Sequence, residues 1–150
     1  MQDLMAEDLY RPFRPYRAPR VAYPVGVAWL ALMLVLALFP PAPLGWLDRV
    51  GFVLVGVVVM WFLHRQASVA AVPSHDGLRV RNLFLTRELR WAEIVSVHFG
   101  GGAPWATLDL ADTDTLSVMA VQRADGERSV AEARRLATLV ARHTATDRDD

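Results

Sequence analysis

From residue 21 to residue 47 nothing carries a charge, and after the pair Asp48 and Arg49 a second uncharged run covers residues 50–63. The first run predicts a helix over residues 21–39. At the usual rise per residue that is about 28 Å, close to the ~30 Å hydrocarbon thickness of a bilayer. Pro24 falls in its first turn, where a missing backbone donor costs little. The second run alone gives only about 21 Å. A capping Asp48 and a snorkelling Arg49 extend it to a span over about residues 46–65, with Trp46 and Trp61 near opposite interfaces. Between the runs, Pro40, Pro41, Pro43 and Gly45 form a tight, helix-breaking turn. Two membrane spans are expected in preference to a buried helical pair in a soluble core. A cleaved signal peptide is disfavoured by the length of the first run and by the second that follows it.

Beyond Gln66 the apolar period changes to two. Residues 67–72 form a β-prone run ending at Pro73-Ser74-His75-Asp76-Gly77, in which Asp76-Gly77 suits a hairpin. Leu78 and Val80 then alternate with Arg79 and Arg81, Leu89 and Trp91 with Glu88 and Arg90, and Val95, Val97 and Phe99 with Ser96 and His98. Leu108 and Leu110 alternate with Thr107 and Asp109, and Leu116 and Val118 with Thr115 and Ser117. Each such strand is expected to bury one face. The separators, glycines 100–102 with Ala103-Pro104 and then Asp112-Thr113-Asp114, are too short for a crossover helix, which predicts an antiparallel meander. A capping box of Ser129 and Glu132 then opens a helix. Its apolar stripe is Val130, Ala133, Leu136, Ala137 and Val140, with Arg134, Arg135 and Arg142 off it. That stripe is expected to pack on the sheet.

Charge assigns sides to these elements. The 16 basic residues are all Arg and are balanced by 16 acids, so no global basic footprint for nucleic acid exists. A chain that is 53% hydrophobic and 21% charged is not disordered. The absence of Cys removes disulfides, thiolate metal sites and a cysteine nucleophile. Arg11, Arg14, Arg17 and Arg20 precede the first run and His64 and Arg65 follow the second, while only Asp48 and Arg49 lie between. The positive-inside rule therefore predicts a multi-pass protein of the cell membrane with both termini cytoplasmic. In RPFRPYRAPR, Arg at every third position among Pro12, Pro15 and Pro19 fits a polyproline II tail with Phe13 and Tyr16 dipping into the interface; the simpler reading is a topology signal alone. Residues 1–10 are acidic and expected to be disordered, and the tail after His143 frayed.

The order of two apolar runs, short antiparallel strands carrying DGLRVRN and LTRELRWAEIVSV, and one amphipathic C-terminal helix resembles the bacterial pleckstrin-homology-like (PH-like) membrane proteins. It is most similar to the actinobacterial family that includes low molecular weight protein antigen 6. The likeness covers about residues 20–145 and is carried most by residues 76–97, where LRVRN is followed by an Arg-rich return strand and WAEIV. It implies a membrane α-helical hairpin plus an α+β PH-like domain, a bent antiparallel β-barrel or sandwich with a C-terminal capping helix. Six strands are counted here against the seven usual for that fold. The layout is then a basic Pro/Arg-rich tail (1–20), a two-helix transmembrane hairpin (21–65), the PH-like domain (66–145) and a polar tail (146–150).

The residue pattern assembles no catalytic, cofactor or metal site. His64, His75, His98 and His143 lack ligand spacing, and no G-x-S-x-G elbow occurs. Glycines 100–102 lack the Lys-Ser/Thr and helix of a phosphate loop. Asp109, Asp112 and Asp114 lack the Gly and distal Glu of a calcium loop. The hairpin around residues 79–90 is the candidate surface. Arg79, Arg81 and Arg90 are expected on its outer face, and its tip, Asn82-Leu83-Phe84-Leu85, is apolar where turns are usually polar. Leu83 and Phe84 beside arginines suit a membrane surface. The competing arrangement pairs Arg79 and Arg81 with Glu88 and turns Phe84 inward. The expected function is a non-enzymatic, membrane-anchored module making protein or lipid-headgroup contact at the cytoplasmic face; the alternative is an accessory or assembly subunit of a transporter or membrane enzyme. Expected partners are the lipid bilayer, anionic headgroups or another membrane protein, and a second copy of the chain; nucleic acid is not among them. Arg11, Arg14, Arg17, Arg20, Trp46, Trp61 and Arg65 are read as membrane-flanking.

Overall fold

A computed structural model describes residues 8–43 and 45–146. Most of the acidic N-terminal stretch, Leu44 of the inter-run turn and the end of the polar tail lie outside the described residues. The chain divides into two units, Tyr16–Ser68, and Met1–Pro15 together with Val69–Asp150.

The first unit is a helical hairpin, α1 (Arg17–Leu38) and α2 (Trp46–Ala67). The apolar runs are long enough for six turns each, and both helices are long and apolar enough to cross a membrane. They meet through small residues. A Cβ on Gly26 would come within 2.6 Å of Met60 Sδ, and one on Gly56 within 3.0 Å of Leu30 and 3.1 Å of Met33. Close approach of this kind is how helices associate where no hydrophobic driving force separates them from lipid. Most of the remaining large apolar side chains of both helices point outward, the reverse of a helical pair built to be a soluble core. Asp48 caps α2 as its position suggests, accepting a hydrogen bond from Gly45 N at 3.0 Å. One expectation is corrected: α1 begins at Arg17, so Pro24 lies inside the helix and removes a backbone donor there.

The second unit is two antiparallel three-stranded sheets and a helix. One sheet is β1 (Ala70–Pro73), β2 (Gly77–Arg81) and β3 (Thr86–Arg90); the other is β4 (Ile94–His98), β5 (Trp105–Leu110) and β6 (Thr115–Gln122), each in meander order. A short 3-10 turn, Trp91–Glu93, carries the chain from one sheet to the other. The alternating residues do what their period dictates. Leu78, Val80, Leu89, Ile94, Leu108, Leu110 and Val118 are buried, with Trp91 beside them, while Arg79, Arg81, Glu88 and Arg90 face out. Gly77 is required, because a Cβ there would sit 2.0 Å from the Leu89 carbonyl oxygen on β3.

Four readings change. Val95 is exposed rather than buried, because the pairing of β4 with β5 slips by one residue between Ile94 and Ser96; Ile94 takes the core position, and Val97 and Phe99 stay partly buried. β6 runs on to Gln122 past the expected Val118, burying Ala120 and Val121. The C-terminal helix, α3 (Glu127–Thr146), starts two residues before Ser129, so no capping box forms. Ser129 instead donates to the Gly126 carbonyl at 2.6 Å, and Gly126 makes the entry turn at φ +66°. The packed stripe of α3 is accordingly Ala133, Leu136, Leu139 and Val140, with Val130 and Ala137 exposed.

The fourth change is the largest. Residues 8–15 are not a free tail but a strap on the open edge of β1. Phe13 N donates to Ala71 O at 2.8 Å and Ala71 N to Phe13 O at 3.0 Å, an isolated antiparallel bridge. The Phe13 ring is fully buried, with the Arg135 guanidinium 3.7 Å above it. Arg135 Nη1 donates to the carbonyls of Leu9 (2.9 Å) and Arg11 (2.7 Å), and Nη2 to Glu132 at 2.5 Å. Leu9 and Tyr10 pack on the same core. The polyproline alternative gives way because Phe13 gains more from a fully apolar site and two ladder bonds than from an interface.

Candidate contact surface on the β2–β3 hairpin

The hairpin is built by its register. Arg79 stands opposite Glu88, Arg81 opposite Thr86 and Gly77 opposite Arg90, which puts Arg79, Arg81 and Arg90 on one exposed face. Arg79 is ion-paired there to Glu88, donating through both Nε (2.7 Å) and Nη2. Val72, Ser74, Gly77, Arg79, Glu88 and Arg90 line a shallow groove of about 370 Å³ along this face.

At the tip, Asn82 N donates to Leu85 O at 2.8 Å, closing a tight turn. The Asn82 side chain is buried and locks that turn to the other sheet: Nδ2 donates to Ser117 O at 2.6 Å and Met119 N donates to Oδ1 at 3.1 Å. One amide thus serves β6 as a piece of neighbouring strand. The turn rotates Leu83 inward, where it is buried, and sends Phe84 and Leu85 outward at 70% and 68% exposure. Leu83 is therefore a packing residue and not part of the exposed surface.

Arg87, on the opposite face of β3, is held by Asp114 at 3.0 Å and Asp112 at 3.5 Å. The hydrogen bond with Asp114 raises the Arg87 pKa, and the same bond holds Asp114 below the ordinary carboxylate range. These aspartates anchor the hairpin side chain. Ser96, His98 and Asp109 meet across β4 and β5: Asp109 Oδ2 lies 2.6 Å from both Ser96 Oγ and His98 Nε2, which are 3.0 Å apart. A nucleophilic relay needs Ser and Asp on opposite ring nitrogens. Here both reach the same nitrogen, so this is a surface hydrogen-bond cluster that holds the Asp109 carboxyl low, chiefly through Ser96. Only the β4–β5 register, absent from local sequence, would have revealed it. Glycines 100–102 sit at positive φ in an open turn. Among the described residues no group of three His, Cys, Asp or Glu could hold a metal ion.

The flanking residues are divided. Arg11 belongs to the strap and pairs with Glu132 at 3.3 Å; Arg14 is exposed on it. Arg17 and Arg20 lie in α1, where Arg20 stacks 3.5 Å over Tyr16. Trp46, Trp61 and Arg65 lie on α2, both indoles exposed. A cluster that sequence reasoning missed closes the strap: Tyr10 Oη lies 2.7 Å from His143 Nε2, and His143 stacks on Trp91, whose indole N–H donates to Ser74 O at 2.9 Å.

Comparison with known proteins accords with this architecture. Residues 69–138 match the model of the bacterial PH domain family. The chain is 35% identical over 140 residues to the uncharacterised protein Rv1417 of Mycobacterium tuberculosis and, equally, to the uncharacterised protein Mb1452 of Mycobacterium bovis, covering 87% of this chain and 88% of each relative. The chain belongs to their family, and its β unit is a bacterial PH domain. No solved structure matches it significantly. In this PH domain the strap, residues 8–15, lies outside the matched segment, yet it supplies Phe13 to the domain's core. A PH domain joined to two helices able to cross a membrane fits a membrane-associated module.

Proposed function

We propose that this protein is a membrane-anchored, non-catalytic PH module. The two helices hold it in the cell membrane with both termini cytoplasmic, and the tip of the β2–β3 hairpin touches a lipid headgroup layer or another membrane protein. One observation carries the reading: Phe84 and Leu85 are neighbouring large apolar residues, both about two-thirds exposed or more, on a turn that Asn82 fixes rigidly. Turns favour small and polar residues, and a fixed apolar tip beside Arg81 suits a partly apolar, partly anionic surface. Arg79 adds little net charge, since Glu88 neutralises it. Arg11, Arg14, Arg17 and Arg20 before the first apolar run and Arg65 after the second, against Arg49 alone between them, support the orientation, and the single-nitrogen geometry of the Ser96 cluster supports a non-catalytic module. The order of spans, PH domain and helix supports placement with the actinobacterial group that includes low molecular weight protein antigen 6.

The chain contains no Cys, so Phe84→Cys labels at one position with an environment-sensitive fluorophore. In full-length protein in phosphatidylglycerol-containing proteoliposomes, the probe at position 84 is expected to shift to the blue and to be quenched by lipid-borne quenchers. The same label on Glu127→Cys serves as the solvent reference. A shift in native membrane vesicles alone assigns the contact to a protein. A probe at 84 as wet as the one at 127 in both settings rejects the contact.

A further inference from the structure

The strap and the first turns of α3 form the walls of a second groove, of about 410 Å³, lined by Arg11, Pro12, Arg14, Arg128 and Glu132. Three of these five residues carry guanidinium groups and one a carboxylate. That carboxylate is already engaged: Oε1 accepts from Arg11 and Oε2 from Arg135. Among the described residues none pairs with Arg14. Arg11 also pairs with Asp8 at 3.8 Å, so the positive charge the groove offers is centred on Arg14.

Its walls are fixed. Phe13 is bridged to Ala71 on one side of Arg14, and Pro15 is buried on the other, so alternation sends Phe13 and Pro15 inward and Arg14 out. Arg135 fastens the same strap to α3 through the carbonyls of Leu9 and Arg11. Arginines held on rigid backbone suit an oxyanion with several acceptor oxygens, phosphate above all.

Position selects the source. Arg14 precedes the first residue of α1, Arg17, by three residues, which is about 10 Å of chain at most. With α1 in the membrane, whatever Arg14 binds lies within reach of the headgroup layer, where lipid phosphate is concentrated. We propose that this groove binds the phosphate of an anionic phospholipid, Arg14 and Arg128 bracketing it from strap and helix, and Arg11 completing the wall. The inference rests on the membrane-anchored reading and is independent of the hairpin tip.

Native mass spectrometry of the full-length protein released from mixed micelles of phosphatidylglycerol and phosphatidylcholine tests it. Wild type is expected to retain phosphatidylglycerol preferentially. Arg14→Gln with Arg128→Gln, both exposed positions, is expected to lower that preference about tenfold with an unchanged circular dichroism spectrum. Arg123→Gln with Arg134→Gln removes the same charge at exposed positions outside the groove and is expected to leave the preference intact. An equal loss in both double variants, or none in the first, overturns the site, and displacement of the lipid by millimolar inorganic phosphate overturns the lipid assignment. Retention of a co-purified protein in place of lipid does the same. Alkaline carbonate extraction separates the two readings: a chain stripped from membranes overturns anchoring and groove together, whereas an anchored chain with unchanged lipid retention overturns the groove alone.

Discussion

His143 couples protonation to the strap. Burial is the main force lowering its pKa, and the charges of Arg142 and His75 add to it. The folded protein thus prefers the neutral ring, which stacks on Trp91 and meets the Tyr10 hydroxyl, while His75 faces Tyr10 at 4.7 Å. The unfolded chain takes up its proton first, near the ordinary His value of about 6.5. The stability this ring contributes is full above that value and is lost as pH falls below it toward the lower folded pKa. Melting of the full-length protein between pH 8 and pH 5 is expected to show this decline, and His143→Gln to flatten it. Asp109 and Asp114, also held low, act in the same direction but only below about pH 4.

At the level of elements the strap is the decisive one. Phe13→Ala is expected to destabilise the PH unit by about 3–5 kcal/mol, the usual cost of emptying a fully buried phenyl site. The guanidinium unfolding midpoint of the detergent-solubilised protein measures it, and a change under 1 kcal/mol rejects the strap as part of the core. Nothing local announces this element. The helices were legible because length and the absence of charge are properties of one segment. β2, β3, β5 and most of β6 were legible because period-two burial is written into consecutive residues, and the same period placed Arg79, Arg81 and Arg90 on one face. Phe13, by contrast, is buried only because β1 leaves an edge open and Arg135 arrives from α3, more than a hundred residues away. The arginine triplet period around it pointed to the membrane interface. Leu83 and Val95 escaped for related reasons: one depends on Asn82 reaching β6, the other on a slip in register with β5.

On the scale of the whole molecule the chain segments that flank the helical pair in sequence are bonded to each other. Residues 13 and 71 are hydrogen-bonded neighbours in the PH domain, and α1 and α2 lie between them in sequence. Helices inserted as a pair must then begin and finish on the same side of the bilayer. A phosphatase active only in the periplasm is expected to stay inactive when fused before Met1 or after Asp150, and to be active when inserted in the turn near Pro41. Activity at either terminus overturns the cytoplasmic placement.

The bridge between Phe13 and Ala71 also sets an order of events during synthesis. Phe13 leaves the ribosome before either apolar helix, and its partner emerges only after both. The domain therefore stays open until both helices have been made. With the pair anchored as proposed, it closes only on a chain whose two helices have brought residue 71 back to the side where residue 13 waits, and a PH domain with the strap in place would be a record of correct insertion.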